Sequence, residues 1–128
     1  MKNEVWIDEE NQVLRQRLIG DAILTEAPEY FAEVKRLMDT LPRRFAIVDM
    51  AQADARKILN REAREHIVKY STPVDYVKLA YINVSPSLRM IAKVINRLAV
   101  KSYEDTTEIG FFKNEEEALK WFNGGSKK

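Results

Sequence analysis

Hydrophobic positions along the chain switch repeatedly between a period of two and a period of about 3.6, the signatures of strand and helix. Val5-Trp6-Ile7 is a short apolar run, followed by the polar, turn-like stretch Asp8 to Gln12. Val13 to Ile19 then alternates, with Arg15, Gln16 and Arg17 among apolar residues, and Gly20-Asp21 closes it. Two strands joined through a polar turn predict a β-hairpin.

The next segment is helical. Thr25 is read as its N-cap, with Pro28 tolerated in a first turn whose amides lack intrahelical partners. Ala27, Tyr30, Phe31, Val34, Leu37, Met38 and Leu41 recur at three- and four-residue steps and make one apolar face, which Pro42 ends. Phe45-Ala46-Ile47-Val48, bounded by Arg44 and Asp49, is a continuous apolar run, the pattern of a strand covered on both faces. A second helix is predicted from an Asn60 cap to about Tyr70, with Ala63, Ile67 and Tyr70 inward, stopped by Ser71-Thr72-Pro73. Val77 to Val84 reads as another central strand.

Ser85 as cap and Pro86 at the first helical position open a predicted third helix, reaching about Lys101. Glu108 to Phe112 is the last strand. Asn114 and Glu117 have capping-box spacing and open a final short helix. Ala118, Leu119, Trp121 and Phe122 would dock it, and Asn123-Gly124 would end it. The order ββαβαβαβα implies a single α/β domain over residues 1–123: a mixed, mostly parallel sheet of about five strands flanked by about four helices. Residues 124–128 read as a flexible tail.

Composition narrows the function classes. The 128 residues suit one domain, and 45% hydrophobic with 32% charged residues fits neither a disordered chain nor a membrane one. The 21 basic and 20 acidic residues leave a net charge of +1, which argues against a dedicated nucleic-acid binder. With no cysteine there is no disulfide, thiol nucleophile or cysteine-based zinc site. No apolar run approaches the roughly 20 residues of a membrane-spanning helix. The start of the chain has no signal-peptide pattern, so a cytoplasmic protein is expected.

A search for chemistry finds little. The one histidine, His66, sits at the margin of the second helix's apolar face and has no metal-ligand companions, so it reads as a boundary histidine. No serine lies in a Gly-x-Ser-x-Gly elbow, and the four glycines form no phosphate-cradling cluster. The acidic runs Asp8–Glu10 and Glu115–Glu117 suit solvent and a helix dipole respectively. No cofactor, metal or catalytic residue is expected.

Two segments stand out. At about 100° per residue, Leu88, Ile91, Ala92, Val94, Ile95, Leu98 and Ala99 share one arc of the third helix. The opposite arc carries Arg89, Lys93, Asn96, Arg97 and Lys101, with Met90 and no acid. Such a basic face costs roughly a few tenths of a kcal/mol per like-charged pair. An acidic surface, lipid headgroups or RNA would relieve it, as would acids elsewhere in the fold. The stretch Asp49–Leu59 runs past the C-terminal edge of the sheet, where open α/β folds tend to bind ligands. The Asn60-Arg61 helix start beyond it suits an anion. An ordinary connection would need no function.

In order, the alternating elements, the Gly20-to-Thr25 turn, Phe45-Ala46-Ile47-Val48-Asp49 and Asn60-Arg61-Glu62-Ala63-Arg64 resemble the STAS-like (anti-sigma factor antagonist-like) domains. So does the close, Phe111-Phe112-Lys113-Asn114-Glu115-Glu116-Glu117-Ala118-Leu119-Lys120-Trp121-Phe122, which is similar to the Phe-Phe-x-x-x-Glu-Glu-Ala-x-x-Trp-Leu ending of the STAS/Sec14-type branch. The likeness covers most of residues 4 to 122 and implies no enzymatic activity. It also implies a partner switch through a phosphorylated serine at the start of the second helix, but the matching position is about Asn60. No serine or threonine occurs between Asp49 and Tyr70, so that modification cannot occur at this site.

Together these readings give a regulatory module binding another protein through Asp49, Asp54, Asn60, Arg61 and Arg64, extended by the basic face Arg89, Lys93, Arg97 and Lys101. The alternative is a lipid or small apolar ligand held between the third helix and the sheet near Tyr81, Met90, Ile91 and Val94, as the Sec14-type resemblance implies. An edge strand near Thr106–Phe112 or Val5–Ile7 could pair two copies into a homodimer.

Overall fold

Strands that alternate with covering helices are expected to pair in parallel, and the computed structural model has this arrangement after an initial hairpin. It describes residues 1–58, 60–70, 74–86, 89–90 and 107–124. Strands β1 (Glu4–Asp8), β2 (Val13–Arg17), β3 (Phe45–Asp49), β4 (Lys78–Ile82) and β5 (Glu108–Phe112) form one sheet in the order β1-β2-β3-β4-β5. Only β1 is antiparallel, paired with β2 through Trp6↔Arg15. The other pairs are parallel, with Gln16↔Val48, Ile47↔Ala80 and Ala80↔Gly110 in register. The continuous apolar run of β3 is explained by its place: it is the central strand, and Ala46, Ile47 and Val48 are buried whichever face they point to.

Alternation divides these side chains between two cores. Leu14, Ala46, Val48, Leu79 and Tyr81 pack with Tyr30, Val34 and Met38 of α1 (Ile23–Met38). Ile58 of the short helix α2 (Ala55–Ile58) and Ile67 of α3 (Arg61–Tyr70) join them. Val13, Ile47, Ala80, Ile82 and Phe112 meet Ala118, Trp121 and Phe122 of α4 (Glu115–Phe122) on the opposite face. One polar cluster enters the first core, where the Tyr30 hydroxyl donates to Gln16 Oε1. Burial pushes the Tyr30 and Tyr76 hydroxyls above the ordinary phenolic range, so both stay protonated.

The boundaries differ from expectation in physically informative ways. α1 begins at Ile23, not after a Thr25 cap: Gly20 takes a positive φ of 54°, and the Leu24 N–H donates to Asp21 O. Thr25 is thus inside the first turn and donates its hydroxyl back to Ala22 O. Pro28 then lies deeper in the helix than expected, where its ring nitrogen leaves the Leu24 carbonyl without an i→i+4 donor. The helix stops at Met38, short of Pro42. Tyr70 is 40% exposed rather than inward, stacking against His66 along the helix. Val77 lies outside β4 and is 44% exposed.

The caps behave as their residue types require. Asn60 Oδ1 accepts from Ala63 N–H at 2.8 Å, and Asn114 Oδ1 from Glu117 N–H at 3.1 Å. Pro86, Arg89 and Met90 are helical, and the Arg89 N–H donates to Ser85 O at 2.8 Å, as the Ser85-Pro86 opening predicts. The rest of the expected third helix, and residues 125–128 of the expected tail, lie outside the described residues.

Candidate functional site

The C-terminal ends of the parallel strands gather the loops after β3, β4 and β5 on one edge of the sheet. Asp49, the last residue of β3, ties two of them together. Its Oδ1 accepts from Ala51 N–H at 2.9 Å and from the Asn83 side-chain amide at 3.0 Å, while Oδ2 lies 3.7 Å from Arg17 Nε. Asn83 can fold back because it adopts φ 57°, a left-handed conformation that asparagine tolerates better than most residues. Asp54 also serves the backbone: its Oδ1 accepts from Arg56 N–H at 3.1 Å and opens α2. The connection between β3 and α3, read from the sequence as a candidate binding segment, therefore contains a helical turn of its own, and its Ile58 is buried.

Three of the five expected partner residues thus have backbone-organising roles, Asn60 through its cap on α3. Arg61 differs. It projects into solvent at the start of α3, paired with Glu65 at 2.9 Å with both side chains largely exposed. Arg64 is on the same helix; its side chain lies outside the described residues.

Of the expected basic face, Arg89 is described and exposed, whereas Lys93, Arg97 and Lys101 lie outside the described residues. Tyr81 of the expected apolar pocket is buried in the α1-side core and stacks on Phe111, with centroids 5.4 Å apart. Met90 is 68% exposed, and Ile91 and Val94 lie outside the described residues.

A cavity of about 540 Å³ opens at this edge, lined by Ala51, Asn83, Ser85, Arg89, Phe111 and Lys113, with Val84, Phe112 and Glu117. The Arg89 guanidinium lies over the Phe111 ring, 5.2 Å from its centroid, so Phe111 contacts both Tyr81 and Arg89. Sequence reasoning selected Arg89 but missed Asn83, Phe111 and Lys113, which belong to different strand ends. The signal that could have found them is positional: each lies at or just beyond the C-terminal end of a parallel strand.

No family model matches the chain, and no curated protein does. Among solved structures, the anti-sigma factor antagonist SpoIIAA in its unphosphorylated form is similar over 98% of this chain and 99% of that one. The TM-score is 0.52 and the sequence identity 13%. The chain has the STAS fold. At this identity the likeness concerns architecture: a five-stranded mixed sheet with helices on both faces, as the alternation of elements predicts. Among the described residues no three of His, Asp and Glu converge as metal ligands, and no helix is long and apolar enough to cross a membrane.

Proposed function

We propose that this chain is a non-enzymatic regulatory module whose partner is another protein. The partner would dock on the C-terminal edge of the sheet and the start of α3, touching Asp49, Asp54, Asn60, Arg61 and Arg64. The basic series Arg89, Lys93, Arg97 and Lys101 would extend that contact toward an acidic surface. The observation that carries this reading is the fold shared over nearly the whole chain with an anti-sigma factor antagonist. Two further features support it. The loops at this edge are fastened by Asp49 and Asp54, so a partner would meet a preorganised surface. Asn60 caps α3 with a neutral amide that cannot be phosphorylated, so the module would hold one binding state permanently.

The test is affinity capture from the native cell, followed by titration of the recovered partner. Asn60→Asp keeps a capping oxygen while adding charge, and Arg61→Glu reverses the exposed cation. The double variant should bind at least about tenfold more weakly, the size of effect produced by losing one charge-assisted contact. Capture of no partner, or unchanged binding by the folded double variant, overturns the reading.

A further inference from the structure

We infer that Asn3 and Glu26 are positioning residues for the partner surface: they form a strap that holds the loop after β3 in its docked form. The inference rests on the proposed partner reading for the purpose of that loop. Asn3 is 2% exposed. Its backbone N–H donates to Glu26 Oε1 at 3.0 Å, and its side-chain amide donates to the same oxygen at 2.9 Å. The Lys2 N–H donates to Glu26 Oε2 at 2.6 Å. One carboxylate in the first turn of α1, where the helix dipole favours an acid, thus collects three N–H groups from the segment ahead of β1. A polar side chain buried this deeply needs its partners, so the placement of Asn3 is specific.

The strap reaches the partner surface through backbone groups. Asn3 Oδ1 accepts the Ile19 N–H at 2.8 Å, in the turn between β2 and α1. The next N–H, that of Gly20, donates to Gln52 O at 2.7 Å, and Gly20 O accepts the Asp54 N–H at 2.8 Å. These two bonds make an isolated parallel bridge between Gly20 and Ala53, joining the turn to the loop after β3. Asp54 then opens α2, whose buried Ile58 precedes the Asn60 cap of α3. A bridge of one residue pair has no neighbouring ladder to support it, so the anchor at Ile19 decides how often it opens. The sheet does not need the strap: β1 pairs with β2 from Glu4 onward. Releasing Asn3 therefore loosens the loop without unzipping the hairpin.

Amide hydrogen exchange on the full chain tests the strap without a partner. Asn3→Ala should speed exchange at Gly20 and Asp54 about tenfold, the effect of losing one buried hydrogen bond. Ile47 and Ala80, in the central strands, should change far less. Glu26→Ala should act like Asn3→Ala, whereas Glu26→Gln, which keeps an acceptor for Asn3, should retain most of the protection. If Asn3→Ala fails to fold, the two Glu26 variants carry the same expectation. With a captured partner, Asn3→Ala should weaken binding about threefold or more, although Asn3 is not among the docking residues. The inference is overturned if Gly20 and Asp54 exchange at wild-type rates in the folded variants, or if all four amides quicken equally. Glu26→Gln as open as Glu26→Ala, or unchanged affinity for a captured partner, also overturns it. Capture of no partner overturns the partner reading alone and leaves the exchange rates to judge the strap.

Discussion

Among the described residues, cavities of nearly equal size open at the outer hairpin, about 520 Å³, and at the C-terminal edge, about 540 Å³. Each has an arginine 5.2 Å from the centroid of an aromatic ring, Arg17 over Trp6 and Arg89 over Phe111. What separates them is the rest of the charge environment. Arg17 also pairs with Glu4 at 2.6 Å and with Asp49 at 3.7 Å, and its neighbour Arg15, which also lies over Trp6, meets Asp8 and Glu115. Arg89 has the ring and, among the described residues, no carboxylate. An arginine whose fork is filled by acids on its own chain reinforces a hairpin; one stacked on a ring keeps its fork available. Cavity volume alone would not have distinguished the two regions.

The largest test of that contrast is Trp6→Ala. It removes a half-buried ring beneath two guanidinium groups and should cost about 2 kcal/mol of stability, read by urea denaturation, from lost burial and cation–π contact. The amide chemical shifts of Asn83 and Lys113 at the other edge should not change. A parallel shift of those amides in the folded variant would break the separation between the regions.

A smaller effect is expected at Asp8. Burial opposes its ionisation, but the Asn11 side-chain amide, the Asn11 backbone N–H and the Arg15 guanidinium outweigh that and hold its carboxyl below the usual range. A depressed folded-state pKa contributes stability above the unfolded value of about 3.9, and that stability is lost as pH falls through the lower folded-state value. Acid titration of wild type against Asp8→Asn should therefore show wild type losing its advantage below about pH 4, by about 1 kcal/mol for a part-buried, hydrogen-bonded carboxylate. An unchanged difference down to pH 2 would remove Asp8 from the hairpin's support.

The smallest expected change sharpens the other side. Arg89→Gln and Lys113→Gln should each leave stability within about 0.5 kcal/mol of wild type by the same denaturation assay, since both side chains are exposed. A larger loss would mean that Arg89 is a structural brace like Arg17, and the contrast would collapse.

Features governed by near neighbours were legible. Asn60 and Asn114 were readable as caps because a cap's work is done within three residues. Phe45–Val48 announced a doubly covered strand because neither face of the run carries a polar residue. The errors came where a distant contact outweighed local propensity. Thr25 looked like a cap, but the Gly20 turn, bridged to Ala53 on the next crossover, started the helix earlier. Tyr70 had the spacing of an inward residue, yet α3 turns it to solvent beside His66. The α2 turn was hidden because four residues are too few to show a period.

Arg89 illustrates the same limit at the candidate site. Its charge and helical position were visible in the sequence, but its role depends on Phe111, which reaches it only through the pairing of β5 with β4.

By itself the sequence determined the order of strands and helices, the hairpin, the two asparagine caps and the absence of a phosphorylatable residue at the start of α3. These follow from side-chain chemistry and short-range periodicity, which the chain carries wherever it folds. Only the tertiary structure decided that Asp49 fastens Ala51 to Asn83, that Arg17 is filled by carboxylates, and that Arg89 lies open over Phe111. Those facts depend on strand register, because a slip of one residue would turn Arg17, Asp49 or Phe111 to the opposite face of the sheet.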